Sequence, residues 1–253
     1  MEDSKPVSTP MVTGHKISKN DESHEVNQTL YRYMIGKLYY VVHSRPDIAL
    51  VVGIVARFST NPKDKHMMAI KGIMRYVKGI VEYGLYYKKN ENVELKAYTN
   101  VDWVGSLDDR KSFSGGAFFL GSRLVSWTSK KKNYISQSTT EVKYVATTVN
   151  CSNVVWLKKL LKGMKEDIIE PIIIYYDNTN ILKISKNLVM YTKTKHIAIS
   201  YHYLRELVQD KIVRMEYVNK REKLANIITK SLPKEPHEYL RSQLGVLPLS
   251  KAT

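Results

Sequence analysis

The first ninety residues change from an irregular polar stretch to helical repeats of apolar side chains. Residues 1–27 are rich in Ser, Thr, Lys and Asp without a clear period, so we expect a loose N-terminal segment there. From Thr29 onward, apolar positions recur at three- and four-residue spacing, and Ser44 and Asn61 each begin a further helix-start signal with a proline close behind. The pattern predicts three consecutive helices over 29–78, the second of them almost wholly apolar and therefore buried.

From about residue 93 onward, the spacing of apolar residues indicates strands that alternate with helices. Gly121-Ser122 separates two apolar runs by two residues, which is a hairpin signal. The order of three strands, helix, strand, helices, strand and helix predicts an α/β domain with a mixed five-stranded sheet whose first three strands are antiparallel. The predicted strands are 93–98, 116–120, 124–128, 171–176 and 213–217, and the predicted helices are 138–150 (continuing or restarting to 163), 178–185, 195–209 and 221–229.

Composition and charge narrow the functional class. The 253 residues are 43% apolar, which suits one or two globular domains. The single cysteine, Cys151, excludes an internal disulfide and a Cys-based zinc cluster, and it fits a reducing intracellular setting. We expect a cytoplasmic or nuclear protein that is neither secreted nor membrane-bound, because the start lacks a signal-peptide pattern and the apolar runs are short. The net charge of +16 favours a polyanionic partner such as nucleic acid.

Six runs of this sequence carry a family resemblance. They are YRYMIGKLYYVVHSRPDIALVVGIVARFSTNP, LKAYTNVDWVGSLDDRKSFSGGAFFLGSRLVSWTSKK, STTEVKYVA, IYYDNTN, TKHI and LANIITKSLP. In this order they resemble the end of a copia-type retrotransposon Pol polyprotein. The resemblance implies a helical segment trailing the reverse transcriptase at 28–90, a ribonuclease H-like domain at 91–232 and a C-terminal tail at 233–253. It also implies a fragment of a longer polyprotein, or a truncated reading frame, that starts after the polymerase catalytic region.

The chemistry of such a domain depends on carboxylates. A ribonuclease H cuts the RNA strand of an RNA–DNA hybrid with two Mg²⁺ ions, which need hard oxygen ligands. The resemblance implies four carboxylate positions, and these fall on Asn100, Lys143, Asp177 and Asn226. Asp177 alone keeps its carboxylate, so the four side chains sum to zero charge where two divalent cations would need about −4. We expect Lys143 to pair with Asp177 in place of the metal and hybrid cleavage to be lost or nearly lost.

Three interpretations remain open at this point. The leading one is a catalytically dead ribonuclease H-like domain that keeps weak nucleic-acid binding through Lys130, Lys131, Lys132, Lys193 and Lys195. The second is an active Mg²⁺-dependent enzyme with a shifted one-metal site, in which Asp102, two residues after Asn100 on the strand, joins Asp177. The third is a non-enzymatic interaction module. RNA–DNA hybrid and the upstream reverse transcriptase are the expected partners.

Overall fold

A computed structural model describes residues 3–14, 17–89, 93–102, 108–109, 111–132, 139–177, 195–219 and 221–251, with the side chains of 139–141 and 195–201 outside the description. Within these ranges no helix is both long enough and apolar enough to cross a bilayer. The predicted helix at 178–185 and the predicted phosphate contact of Lys193 lie outside the described residues.

Three helices form the first unit, as the apolar spacing predicts. The side chain of Asn27 accepts a hydrogen bond from the amide of Leu30 at 2.9 Å and so caps the first helix. The buried Tyr31 donates its hydroxyl to the carbonyl of Val55 at 2.7 Å, which joins the first two helices. The helices are α1 (Gln28–Val42), α2 (Ala49–Val55) and α3 (Asp64–Gly79), and 3-10 turns of Pro46–Ile48 and Ala56–Phe58 flank α2.

The N-terminal residues lie against α3. Arg75 Nε donates to the carbonyl of Lys5 at 2.7 Å, and Lys78 Nζ donates to the carbonyl of Ser4 at 3.1 Å. Met11 and Ile17 are buried in the core of the helical unit. Composition predicts a loose segment here, whereas the described residues between 3 and 27 are held by specific contacts. Side chains of α3 donate to backbone carbonyls of this segment, and polar composition alone does not reveal such a partner.

A five-stranded mixed sheet forms the second unit, and the predicted α/β fold is confirmed. The strands follow the order β4-β3-β2-β5-β6. The neighbours β2, β3 and β4 run antiparallel, while β5 is parallel to both β2 and β6. Gly121, at φ 63°, makes the two-residue turn between β3 and β4 that the sequence predicts. The strands are β2 (Leu95–Asp102), β3 (Phe113–Leu120), β4 (Arg123–Lys131), β5 (Ile172–Tyr176) and β6 (Val213–Tyr217).

Helices cover one face of this sheet, and the end of the chain covers the other. The continuous helix α4 (Thr139–Gly163) and the helix α5 (Lys195–Gln209) close a core with β2 and β5. On the opposite face the sequence predicts a helix over 221–229, which the structure corrects to a single 3-10 turn, Leu224–Asn226. The amide of Asn226 bonds to the carbonyl of Lys223 at 3.0 Å, so burial of this short segment against the sheet favours the tighter turn.

The residues predicted as a tail contain two further elements. The helix α6 (Lys234–Gln243) precedes β7 (Val246–Pro248), and β7 pairs antiparallel with β1 (Tyr83–Leu85). Arg241 Nη1 on α6 donates to the hydroxyl of Tyr76 at 3.3 Å, and this hydroxyl donates to the buried Asp47 at 2.6 Å. These contacts attach the end of the chain to the helical unit.

Candidate functional site

The strand register brings two of the four family positions side by side. In the parallel pair of β2 and β5, Tyr98 lies opposite Tyr175. The same register, continued by two residues, sets Asn100 beside Asp177 on strands that lie about 4.8 Å apart. Both residues therefore lie at the carboxyl ends of neighbouring parallel strands, which is where open α/β sheets place their ligand sites.

Asn100 and Asn226 bond directly to each other. The amide nitrogen of Asn100 donates to Asn226 Oδ1 at 2.8 Å and to Thr229 Oγ1 at 2.5 Å. Each asparagine is 5% exposed. Both amide hydrogens of Asn100 are therefore used inside the protein. Two carboxylates at this spacing would repel each other without a cation between them, whereas two amides satisfy one another.

Two lysines hold the remaining carboxylate. Lys223 Nζ lies 2.8 Å from Asp177 Oδ1, and Lys143 Nζ lies 3.7 Å from the same oxygen. The Lys223 side chain is fully buried, and its ammonium also lies 5.3 Å from the centre of the Tyr176 ring. The predicted pairing of Lys143 with Asp177 is present, but Lys223 is the closer cation.

The pKa values of this cluster follow from burial and from the neighbouring charges. Burial acts to raise the pKa of Asp177, yet Lys223 and Lys143 outweigh it, and the pKa of this carboxyl lies below its ordinary value. Burial lowers the pKa of Lys223 to about 8, with Asp177 opposing this effect and Lys143 and Lys230 adding to it. At neutral pH Asp177 is thus ionised, and Lys223 is largely protonated.

Lys223 is the site residue that sequence reasoning missed. It lies three residues before Asn226, within the stretch predicted as the last helix. A spacing of three places both side chains on one face of a helix or 3-10 turn. The sequence therefore contains a signal that Lys223 lies near the site, but the family motif includes only the acidic positions.

The residues present do not fit a pair of magnesium ions. Within the described part of the chain, no three His, Cys, Asp or Glu side chains come together in a way that could hold a metal. An ammonium about 4 Å from a divalent cation is repelled by about 8 kcal/mol at an effective dielectric constant of about 20. Asp177 has two such ammonium groups beside it, and Asn100 and Asn226 contribute no charge.

Asp102, the ligand of the shifted-site interpretation, lies at the last position of β2. Burial raises the pKa of its carboxyl, and Lys230 opposes the rise. It is two residues beyond Asn100 along the strand, which corresponds to about 6–7 Å. Within the described residues, no hydrogen bond joins Asp102 to Asp177.

The predicted basic run lies at the end of β4. Lys130 is exposed, whereas Lys131 Nζ forms an ion pair with Asp109 at 2.6 Å. Burial, followed by the charge of Lys130, lowers the pKa of Lys132. Lys195 begins α5, and its side chain lies outside the description, like Lys193. Lys130 is thus the most accessible of the three lysines in the run.

Comparison with known proteins identifies the chain, although no protein-family model matches it. It is 34% identical over 242 residues to the retrovirus-related Pol polyprotein from transposon RE1 of Arabidopsis thaliana. It is also 34% identical over 255 residues to the one from transposon TNT 1-94 of Nicotiana tabacum. The chain belongs to the Pol polyproteins of copia-type retrotransposons. These alignments cover 96% and 97% of this chain but 16% and 19% of the relatives, so the chain spans less than a fifth of their length.

Solved structures with some likeness to the chain are more distant. The N-terminal RNase H domain of a Mycobacterium tuberculosis protein matches 60% of this chain and 98% of its own, with a TM-score of 0.40 and 10% identity. The foamy viral protease-reverse transcriptase in complex with dsDNA matches 80% of this chain and 40% of its own, with a TM-score of 0.44 and 14% identity. At these scores the two structures add nothing to the assignment made from the Pol polyproteins.

Proposed function

We propose that the sheet unit is the ribonuclease H-like domain of a copia-type Pol polyprotein, and that it does not cleave RNA–DNA hybrid. One observation carries the proposal: Asp177, the one carboxylate left at the four family positions, is ion-paired with Lys223 at 2.8 Å and Lys143 at 3.7 Å. The lysines neutralise the charge that would attract Mg²⁺. The bond between Asn100 and Asn226 supports the same conclusion, because it joins two positions that would otherwise hold metal ligands.

Nucleic-acid binding is the activity that this proposal retains. The net charge of +16 supports contact with phosphates, and such contact needs no metal ion. Lys130 supplies an exposed ammonium for it. RNA–DNA hybrid is the proposed ligand, the upstream reverse transcriptase of the polyprotein is the proposed partner, and the proposed location is intracellular.

The shifted one-metal site gains no support from the described residues. A single-metal enzyme would need Asp102 beside Asp177, whereas Asp102 lies two residues beyond Asn100 along β2, and Asp177 is already neutralised by lysines. The inactive domain therefore remains the proposed function.

A hybrid assay tests the proposal. Wild type and Asp177→Ala are incubated with a labelled RNA–DNA hybrid in Mg²⁺ or Mn²⁺, and cleavage and binding are both measured. We expect no cleavage by either protein, together with binding that weakens steeply as salt rises. Cleavage by wild type that Asp177→Ala abolishes would refute the inactive site. No binding even at low salt would refute the nucleic-acid role and leave a protein-interaction module.

A further inference from the structure

A cleft of about 390 Å³ lies between the helical unit and the free edge of the sheet. Tyr39 of α1 and His43, which directly follows that helix, line one side, and Ser126, Trp127 and Ser129 of β4 line the other. Because β4 ends the strand order, no strand in the described part of the chain pairs with this edge. The strand β3 separates it from β2, so the cleft is distinct from the site around Asp177. We propose that this cleft binds single-stranded nucleic acid, with a base stacked between Tyr39 and Trp127.

The two aromatic side chains supply the stacking surfaces. Tyr39 is 44% exposed, and Trp127 is partly buried against the sheet core, so one ring is accessible and the other is held in place. The Nδ1 atom of His43 lies 2.9 Å from the carbonyl of Tyr39, and this contact holds the imidazole ring on the same side of the cleft as Tyr39. Aromatic side chains stack on bases of any sequence, because every base has a π-face. A duplex keeps its bases stacked inside, so an unpaired strand is the ligand that fits.

Charge around the cleft favours a polyanion over a neutral or cationic partner. Residues 28–90 hold eleven Lys and Arg side chains and three acidic ones, a net charge of +8. Half of the total charge of +16 thus lies in a quarter of the chain. The helix α1, which forms one wall, contains Arg32 and Lys37 and no acidic residue. Among the described residues, those that line the cleft include no carboxylate.

The β4 wall adds polar groups. Ser126 and Ser129 offer hydroxyl groups inside the cleft. A strand whose base lies between the two aromatic rings would therefore meet hydroxyl groups along the same wall. Hydroxyl donors are among the groups that bind the phosphodiester backbone. The inference deepens the nucleic-acid binding proposed above and rests on it.

Binding is measured by fluorescence anisotropy with a labelled oligothymidylate of about ten nucleotides, at low salt. The test variant is Tyr39→Leu, which removes the ring but keeps apolar bulk. The matched control is Tyr217→Leu, since Tyr217 is 56% exposed on β6, the opposite edge strand. We expect Tyr39→Leu to weaken binding about tenfold, Tyr39→Phe to bind like wild type, and Tyr217→Leu to have no effect. Circular dichroism checks that each variant is folded.

Quenching of Trp127 fluorescence gives a second readout that needs no change at Tyr39. With Trp103 and the exposed Trp156 both replaced by Phe, Trp127 is the single tryptophan left, and the oligothymidylate should still quench its emission. Trp127→Phe in the same background should remove the signal and its quenching. Equal affinity of wild type and Tyr39→Leu, or Trp127 emission that is not quenched on binding, would overturn the inference. If binding instead fell in Lys130→Ala alone, the proposed function would stand and the cleft would fail. Competition by polyglutamate as strong as by oligothymidylate would overturn base stacking.

Discussion

Replacing Lys223 by Met should change how the stability of the protein depends on pH. The side chain is fully buried, and its pKa is about 8 in the folded protein against an ordinary value of 10.5. Between these two values the unfolded chain binds more protons than the folded one. The free energy of unfolding therefore rises with pH in this range for wild type, and Lys223→Met lacks that contribution.

The magnitude follows from the two pKa values. The fall in the pKa of Lys223 from 10.5 to about 8, at about 1.4 kcal/mol for each pKa unit, corresponds to about 3 kcal/mol over the whole range. From about pH 7.5 to about pH 9.5 the contribution of Lys223 is about 2 kcal/mol. Burial raises the pKa of the Cys151 thiol and of Tyr31, which acts in the opposite direction at alkaline pH. These contributions cancel when the curve of the variant is subtracted from that of wild type.

Urea unfolding followed by circular dichroism at several pH values provides the measurement. From about pH 7.5 to about pH 9.5, the unfolding free energy of wild type should rise by about 2 kcal/mol relative to that of Lys223→Met. Lys159→Met is the control, because Lys159 is exposed on α4, and its curve should run parallel to that of wild type. If the curve of Lys223→Met also ran parallel to that of wild type, Lys223 would not be a buried cation beside Asp177.

Three further predictions concern catalysis, acid stability and packing. We expect no cleavage of RNA–DNA hybrid with Mg²⁺ by the triple variant Asn100→Asp, Lys143→Glu and Asn226→Asp, because Lys223 remains 2.8 Å from Asp177. Adding Lys223→Gln to this variant should produce cleavage. Cleavage by the triple variant itself would show that Lys223 does not prevent metal binding. Burial lowers the pKa of His237 to about 4. From about pH 6.5 down to about pH 4.5, wild type should therefore lose about 2 kcal/mol more stability than His237→Phe, as measured by urea unfolding, and equal losses would contradict this. Gly116→Ala should destabilise the protein by about 1–3 kcal/mol, because a Cβ would lie 2.8 Å from Phe118 Cζ and closer still to Asn150 Oδ1. Gly36→Ala on α1, where a Cβ would have nothing within 4 Å, should stabilise the protein by up to about 1 kcal/mol in the same assay. A neutral Gly116→Ala would mean that the neighbouring side chains can move aside.

The sequence predicted the elements with strong periods and missed those that depend on tertiary contacts. The three helices and the Gly121 hairpin follow from local patterns, and so does the mixed sheet. The three-residue strands β1 and β7 are too short to show a period, and their pairing joins residues far apart in the chain. The N-terminal packing and the 3-10 turn before Asn226 likewise depend on partners that only the fold brings close.

At the site, positions named from the family motif lie in contact with one another, but the motif gave an incomplete set of charges. The pairing of Lys143 with Asp177 followed from carboxylate positions read along the sequence. The bond between Asn100 and Asn226 joins residues 126 apart, so it required the register of the sheet. Lys223 occupies no family acidic position, and its full burial beside a carboxylate could be recognised only from the fold.

We propose that Lys143 and Lys223 neutralise the carboxylate beside which this family would hold magnesium. Wild type and Asp177→Ala are titrated with Mn²⁺, and binding is followed by electron paramagnetic resonance. We expect the two proteins to bind Mn²⁺ equally weakly. Binding of two ions by wild type that is lost in Asp177→Ala would refute the proposal.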